Sequence, residues 1–280
     1  MTLPDEAVRK QASAALDAAD GAYGRLADLV TWLAAAQGRW PPRPILRPVL
    51  IVLGDGDPPG PLVDLAAAHV RLVPAGDAPP DMADALERGA ALAAAEIDAG
   101  ADLLMLAVPA DPVAALAATA VLTNSEVATI VGHRPSMTDR DWMRDCAAVR
   151  DTARRARPHA GKVVQMLDAL ASPSLAHAAG IVTEAAARRT GVVLDDVVAA
   201  AAGLVAQRVS YRTARWFCAA QRSPDPAYAA ALERLRLTPV LDYGLTGGSA
   251  DRTGVGALLA LSQLRGAAAL FSSPGTGTPE

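Results

Sequence analysis

The sequence predicts an α/β fold, a parallel sheet flanked by helices, with a small helical lobe at the N-terminus. Continuous apolar runs such as Val49-Leu-Ile-Val-Leu53 and Leu103-Leu-Met-Leu-Ala107 lack polar alternation, and so predict strands buried on both faces. Longer stretches of alanine and leucine with helical spacing separate these runs, the pattern of strand and helix in alternation. Hydrophobic residues make up 51% of the chain but aromatic residues only 4%, so the core must be built from Ala, Leu and Val, which favours helices packed closely on a sheet.

In chain order, residues 4 to 37 predict two helices parted near Asp20-Gly21. Ala7, Val8, Ala12, Ala15 and Leu16 share one face of the first, and Leu26, Leu29, Val30 and Leu33 share a face of the second. Pro41, Pro42 and Pro44 stop any helix. The strand at 49 to 53 leads into the turn Gly54-Asp-Gly-Asp-Pro-Pro-Gly60, and a second strand follows at His69 to Val73. A long helix from Met82 to Ala99, closed by Gly100, leads to a strand from Asp102 to Ala107, and Asp111 before Pro112 reads as the cap of the next helix. Val127-Ala-Thr-Ile-Val131 is expected to be a strand ending in Gly132-His-Arg-Pro-Ser136, with a helix from about Asp139 and a helical pair after Arg157-Pro158. Val192 to Asp195 predicts a strand, and Val198 to Gln207 and Tyr211 to Gln221 predict helices. Leu237 to Gly244 predicts the last strand, followed by a glycine-rich loop to Gly256 and a helix from Ala257. The expected organisation is a helical arm over residues 1–45, a Rossmann-like three-layer domain over 46–271 and a disordered tail over 272–280.

The formal net charge is −4 and no basic stripe is present, which argues against nucleic acid and membrane surfaces as partners. The two cysteines, Cys146 and Cys218, lie in helix-like alanine-rich segments and are expected to be small buried side chains rather than a disulfide or a zinc site. The N-terminus lacks a signal peptide's basic start and apolar core, and no apolar run reaches spanning length uninterrupted, so a soluble cytoplasmic protein is expected.

The strand, glycine-rich loop and helix from Leu237 to Arg265 place backbone N–H groups and a helix N-terminus beside the carboxyl end of a strand, where α/β proteins bind anionic or nucleotide-like ligands. A tight turn using glycine for positive φ is the plainer alternative. Asp55 after its strand reads as a turn or cap residue or as an acid, and Asp251 in the loop as a cap or a base. Arg134 offers a guanidinium for phosphate and His133 an acid or base, unless both are simply solvated.

Several stretches also resemble one family. Gly24-Arg-Leu-Ala-Asp-Leu-Val-Thr-Trp32, Gly54-Asp55, Ala99-Gly-Ala-Asp-Leu-Leu104, Arg222-Ser-Pro-Asp-Pro226 and Thr253-Gly-Val-Gly-Ala257 are similar, in the same order, to the nicotinate-nucleotide:dimethylbenzimidazole phosphoribosyltransferases. The resemblance implies the fold expected above, a dimer, no cofactor and no metal. It also implies an inverting glycosyl transfer from nicotinate mononucleotide to a benzimidazole-type base, a step in making the lower ligand of cobalamin. Such transfer requires a carboxylate to take the attacking ring's proton, donors for the 5′-phosphate and an apolar slot for the base.

The chain departs from the family where that chemistry resides. Thr253 stands at the place of the family's catalytic glutamate, with Asp251 as the candidate substitute base. Gly56 replaces a histidine after Gly54-Asp55, and about twenty residues separate that strand from Val73, too few for the insertion that encloses the base. Val108-Pro-Ala-Asp111 replaces a loop rich in glycine and hydroxyl donors, and of another glycine cluster only Gly132 survives. Asp195 matches the family's strand-end aspartate, but Asp196 replaces the following glycine. The resemblance thus assigns Gly132, Arg134, Gly254, Gly256, Asp55 and Asp195 to substrate binding, and leads to a transferase of weak or altered activity. One alternative is an inactive paralogue acting as a subunit, in a homodimer or beside an active homologue. Another is a binding protein for a different nucleotide or flat heterocycle, using Arg134 and Asp251.

Overall fold

The computed structural model describes residues 1–17, 22–77, 79–110, 112–134, 137–245 and 253–272. Its elements run α1 (Glu6–Asp17), α2 (Arg25–Gln37), β1 (Pro48–Leu53), α3 (Gly60–Leu65), β2 (His69–Val73), α4 (Met82–Asp98), β3 (Leu103–Ala107), α5 (Val113–Thr123) and α6 (Val127–Val131). They continue through α7 (Asp139–Ala156), α8 (Val163–Leu170), α9 (Pro173–Ala187), β4 (Val192–Leu194), α10 (Val197–Val209), β5 (Phe217–Gln221), α11 (Pro226–Leu235), β6 (Pro239–Leu241) and α12 (Val255–Ser272). The six strands form one sheet in the order β2-β1-β3-β4-β5-β6, and every neighbouring pair is parallel.

Alternation along the central strands divides the core in two. Val49, Ile51, Leu53, Leu104 and Leu106 point to one face, where α4, α5 and α7 to α11 cover them. Leu50, Val52, Leu103, Met105 and Ala107 point to the other, where α2 and α12 cover them with Leu29, Val30, Leu33, Leu258, Leu261 and Leu264. The N-terminal helices therefore form part of the second layer. Each fully buried leucine contributes about 1.5–3 kcal/mol. Alanine sets the spacing of the first layer, since at least half of the residues that α5, α9 and α10 bury are alanines. The approach is closest where α4 crosses α9. A Cβ at Gly89 would overlap the His177 carbonyl oxygen, and one at Gly180 would overlap that of Leu86. Side chains define the helix starts: Asp81 accepts from Ala83 and Asp84 N–H to cap α4, and Thr138, Ser172, Asp196 and Asp225 cap α7, α9, α10 and α11.

Two expected elements are corrected. Val127–Val131 is helix α6, not a strand, because β3 pairs directly with β4 and leaves no place for a strand between them. Its Ile130 and Val131 are buried in the first layer's core instead, and short apolar runs are ambiguous by periodicity alone. The helix expected over Tyr211–Gln221 is a short 3₁₀ turn at Thr213–Trp216 followed by strand β5. Phe217, Cys218 and Ala219 pair with Val192, Val193 and Leu194, so a slot in the sheet overrides alanine's helical preference. Cys218 is consequently a strand residue, its thiol pushed up to about 12 by burial, while Cys146 on α7 is only partly buried. Asp111 and residues 273–280 lie outside the described residues. No helix among the described residues is long and apolar enough to cross a membrane, and no cluster of three or more His, Cys, Asp or Glu side chains with metal-binding geometry occurs among them.

Candidate functional site at the carboxyl ends of the strands

From β1 the chain moves outward to β2, and from β3 it moves the opposite way to β4, so the connections diverge between β1 and β3. In open parallel sheets the crevice at the carboxyl ends of such a divergent pair is where ligands bind. Three segments meet there. Beyond β1, Gly54 has φ 128° and its N–H donates to the Val73 carbonyl, and Gly56 is buried. Beyond β3 comes Pro109, and from the far end of the chain come Thr253 and the start of α12. A Cβ at Gly56 would lie 2.5 Å from Thr253 Oγ1 and 2.8 Å from Pro109 Cγ, which places the Thr253 hydroxyl and Pro109 against the same glycine. Thr253 is buried, and Gly254, at φ 74°, packs so closely on Leu50 that a Cβ there would lie 2.6 Å from Leu50 Cδ2.

Two consecutive aspartates after β4 fasten these segments. Asp195 is 8% exposed; its Oδ2 accepts the Gly254 N–H at 3.1 Å and its Oδ1 the Ala257 N–H at 2.6 Å. A carboxylate of the chain itself thus occupies donors at the N-terminus of α12, where a bound anion would otherwise go. Gly256 lets that carboxylate approach, since a Cβ there would lie 2.6 Å from Asp195 Oδ1. Asp196 points the other way: Oδ1 accepts from Ala199 at 2.8 Å, and Oδ2 from Val108 at 2.5 Å, which fixes the exit of β3. Burial, and next the neighbouring Asp196, push Asp195 up to about 7. Burial likewise raises Asp196 to about 6, against the lowering effect of the N–H groups it accepts. Tyr228 of α11 completes the floor, its hydroxyl donating to the Leu194 carbonyl at 3.1 Å; burial and then the two aspartates hold its pKa well above 10. At the end of β5, Gln221 is buried beside Gly256 with no hydrogen-bond partner for its Oε1 among the described residues.

The residues expected at the site fall into three places. Thr253, Gly254, Gly256 and Asp195 come together as described, although Asp195 holds backbone rather than facing open space. Gly132 and Arg134 lie instead beside the start of α11. Gly132 ends α6 at φ 59° against Pro226, and burial raises the Asp225 carboxyl, opposed by the N–H groups of Ala227 and Tyr228 and then by exposed Arg134 nearby. Asp55 is exposed toward β2, with Ala75 N–H 3.4 Å from its Oδ1. His133 has a partner, Asp139, at 3.2 Å. Asp251 lies outside the described residues. Sequence reasoning assigned no role to Asp196, Gln221 or Tyr228. An aspartate directly before an apolar helix is a visible capping signal for the first; Tyr228 stands out only as the residue at a place where the resembled family usually has histidine, and Gln221 carries no local signal, since both positions depend on β5 and α11 reaching the same strand end.

A family model described as phosphoribosyltransferase (DBI_PRT) matches residues 78–277. The nicotinate-nucleotide–dimethylbenzimidazole phosphoribosyltransferase of Streptomyces avermitilis is 36% identical over an alignment covering 95% of this chain and 87% of that protein. That of Mycobacterium tuberculosis is 33% identical, covering 99% and 92%. The alignment with the Streptomyces protein runs over 329 positions against a chain of 280, so that relative carries segments absent here. Among solved structures, the nicotinate-nucleotide-dimethylbenzimidazole phosphoribosyltransferase of Thermus thermophilus superposes with a TM-score of 0.82 at 23% identity, over 98% of this chain and all of that one, which shows the shared fold.

Proposed function

The chain belongs to the phosphoribosyltransferase family, and from that premise we propose that it serves cobalamin lower-ligand synthesis as a strongly attenuated nicotinate-nucleotide:dimethylbenzimidazole phosphoribosyltransferase. In the proposed reaction a ring nitrogen of the base attacks the anomeric carbon of nicotinate mononucleotide, nicotinate departs with the bonding pair, and the configuration inverts. A carboxylate on the protein takes the proton of the attacking ring. The observation that carries this reading is the position, in the crevice between the diverging strands β1 and β3, of the entrance to α12 and of Thr253, the residue that the sequence resemblance matches to the family's catalytic glutamate.

Thr253 supplies no carboxylate, and a well-placed general base contributes roughly 10²- to 10⁴-fold in rate. Without a substitute base, turnover would be slower by about that factor than with a glutamate in place, and a less well-placed carboxylate recovers only part of it. Asp251, two residues earlier, is the proposed substitute base. Thr253→Glu tests the assignment. Mass spectrometry after long incubation with nicotinate mononucleotide and dimethylbenzimidazole should find a trace of nicotinate and ribosyl phosphate product with the parent, and a large increase with the variant. Asp251→Ala should abolish the trace. A folded parent and a folded Thr253→Glu protein that both yield no product would refute the transferase reading.

One observation favours a second reading, a non-catalytic subunit in a homodimer or beside an active homologue. Asp195 already occupies the N–H groups of Gly254 and Ala257 that a substrate anion would use. On this reading co-expression with an active family member yields a stable mixed oligomer in native mass spectrometry, and separate homodimers alone exclude the mixed form.

A further inference from the structure

At the opposite, amino end of the sheet a groove of about 880 Å³ lies between the N-terminal residues, the connection from α2 to β1 and the turn from α9 to β4. Arg39, Arg43 and Arg189 line it, all exposed, and none of the three side chains has an ion pair or hydrogen bond among the described residues. Two carboxylates share the lining, and both are engaged by backbone. Asp5 accepts from Ala7 and Val8 at the start of α1, and Asp102 accepts from Leu46 and Arg47. Trp32 and Trp216 stiffen the wall, their indole N–H groups donating to the carbonyls of Arg215 and Thr2.

Arg39 and Arg189 follow the C-terminal ends of α2 and α9, where helix dipoles favour a cation. That explains a positive charge at each end. It does not explain Arg43, or why three guanidinium groups share one concavity without a carboxylate pairing any of them in a chain whose acids outnumber its bases. Guanidinium is a planar fork that matches phosphoryl oxygens two at a time, and three of them in one groove complement a ligand of more than one negative charge. We propose that this groove binds a small polyanion carrying linked phosphoryl groups, at a place separate from the carboxyl-end crevice and independent of whether that crevice is catalytic.

Isothermal titration calorimetry of the full chain with inorganic pyrophosphate tests this, with citrate as a non-phosphate polyanion. Saturable binding that weakens with added salt is expected, tighter for pyrophosphate than for citrate. The triple variant Arg39→Ala/Arg43→Ala/Arg189→Ala should bind at least about tenfold more weakly. No saturable heat at millimolar pyrophosphate overturns the proposal, as does equal affinity in the triple variant, whether or not Arg134→Ala weakens binding. Citrate binding as tightly as pyrophosphate overturns the phosphoryl assignment. Should the triple variant melt early, the single exposed change Arg43→Glu gives the same decision: a several-fold loss supports the groove and unchanged affinity refutes it.

Discussion

Replacing Asp195 by alanine would release the start of α12 from the sheet. In the native chain Asp195 accepts two backbone N–H groups, from Gly254 and Ala257, and all three residues are buried. Without the carboxylate both donors are buried unpaired, at about 1–3 kcal/mol each. Relief from the desolvated charge offsets part of this, leaving a net loss of roughly 1–4 kcal/mol, or about 3–12 °C in melting temperature for a chain of this size. The loss should also be localised: hydrogen exchange followed by mass spectrometry should show faster exchange in the peptide that starts α12, while β1 and β3 stay protected. A pH dependence accompanies it. The pKa of Asp195 rises from 3.8 in the unfolded chain to about 7 in the native state, so the native state binds the proton more tightly. This stabilisation is complete below 3.8 and is lost as pH rises through about 7. Asp195→Asn, which cannot ionise, should flatten this slope in urea unfolding curves measured across that range. An alanine variant that melts within a degree or two of the parent, with unchanged exchange at α12, would refute the clamp.

Three further outcomes follow from packing and electrostatics. Gly89→Ala drives a methyl group into the His177 carbonyl, so the α4–α9 crossing must open, and the urea midpoint should fall by the equivalent of about 1–3 kcal/mol or more. His177 is buried with neither ring nitrogen hydrogen-bonded among the described residues, and burial, then Arg88, lower its pKa from 6.5. The unfolded chain therefore binds the proton more tightly, and stability from this residue falls as pH drops below 6.5, opposite in sign to Asp195. His177→Leu should remove that acid sensitivity and leave neutral-pH stability equal or higher, as melting curves at two pH values would show. Tyr228→Phe removes the hydrogen bond to the Leu194 carbonyl and should lower stability by about 0.5–1.5 kcal/mol, a change visible in the same melting assay.

By itself the sequence determined most of the scaffold. The runs at β1 and β3 are apolar at every position because both faces of a central parallel strand are covered, and that requirement is written residue by residue. Caps at Asp81, Thr138 and Asp225 are equally local, since a side chain reaches only the next turn's N–H groups. The family likeness was legible for the same reason: it is a property of residue identity and order.

What only the tertiary structure decided depends on partners far away in the chain. Phe217–Gln221 became a strand because a place lay open beside β4, and Val127–Val131 became a helix because none lay open beside β3. Asp195 was expected to meet substrate, yet it holds Gly254 and Ala257, some sixty residues away. Gly132 and Arg134 were expected in the same crevice and instead lie by α11. No local pattern encodes which backbone N–H a buried carboxylate will find, because that choice is made when the layers close and each desolvated polar group must take the partner within reach.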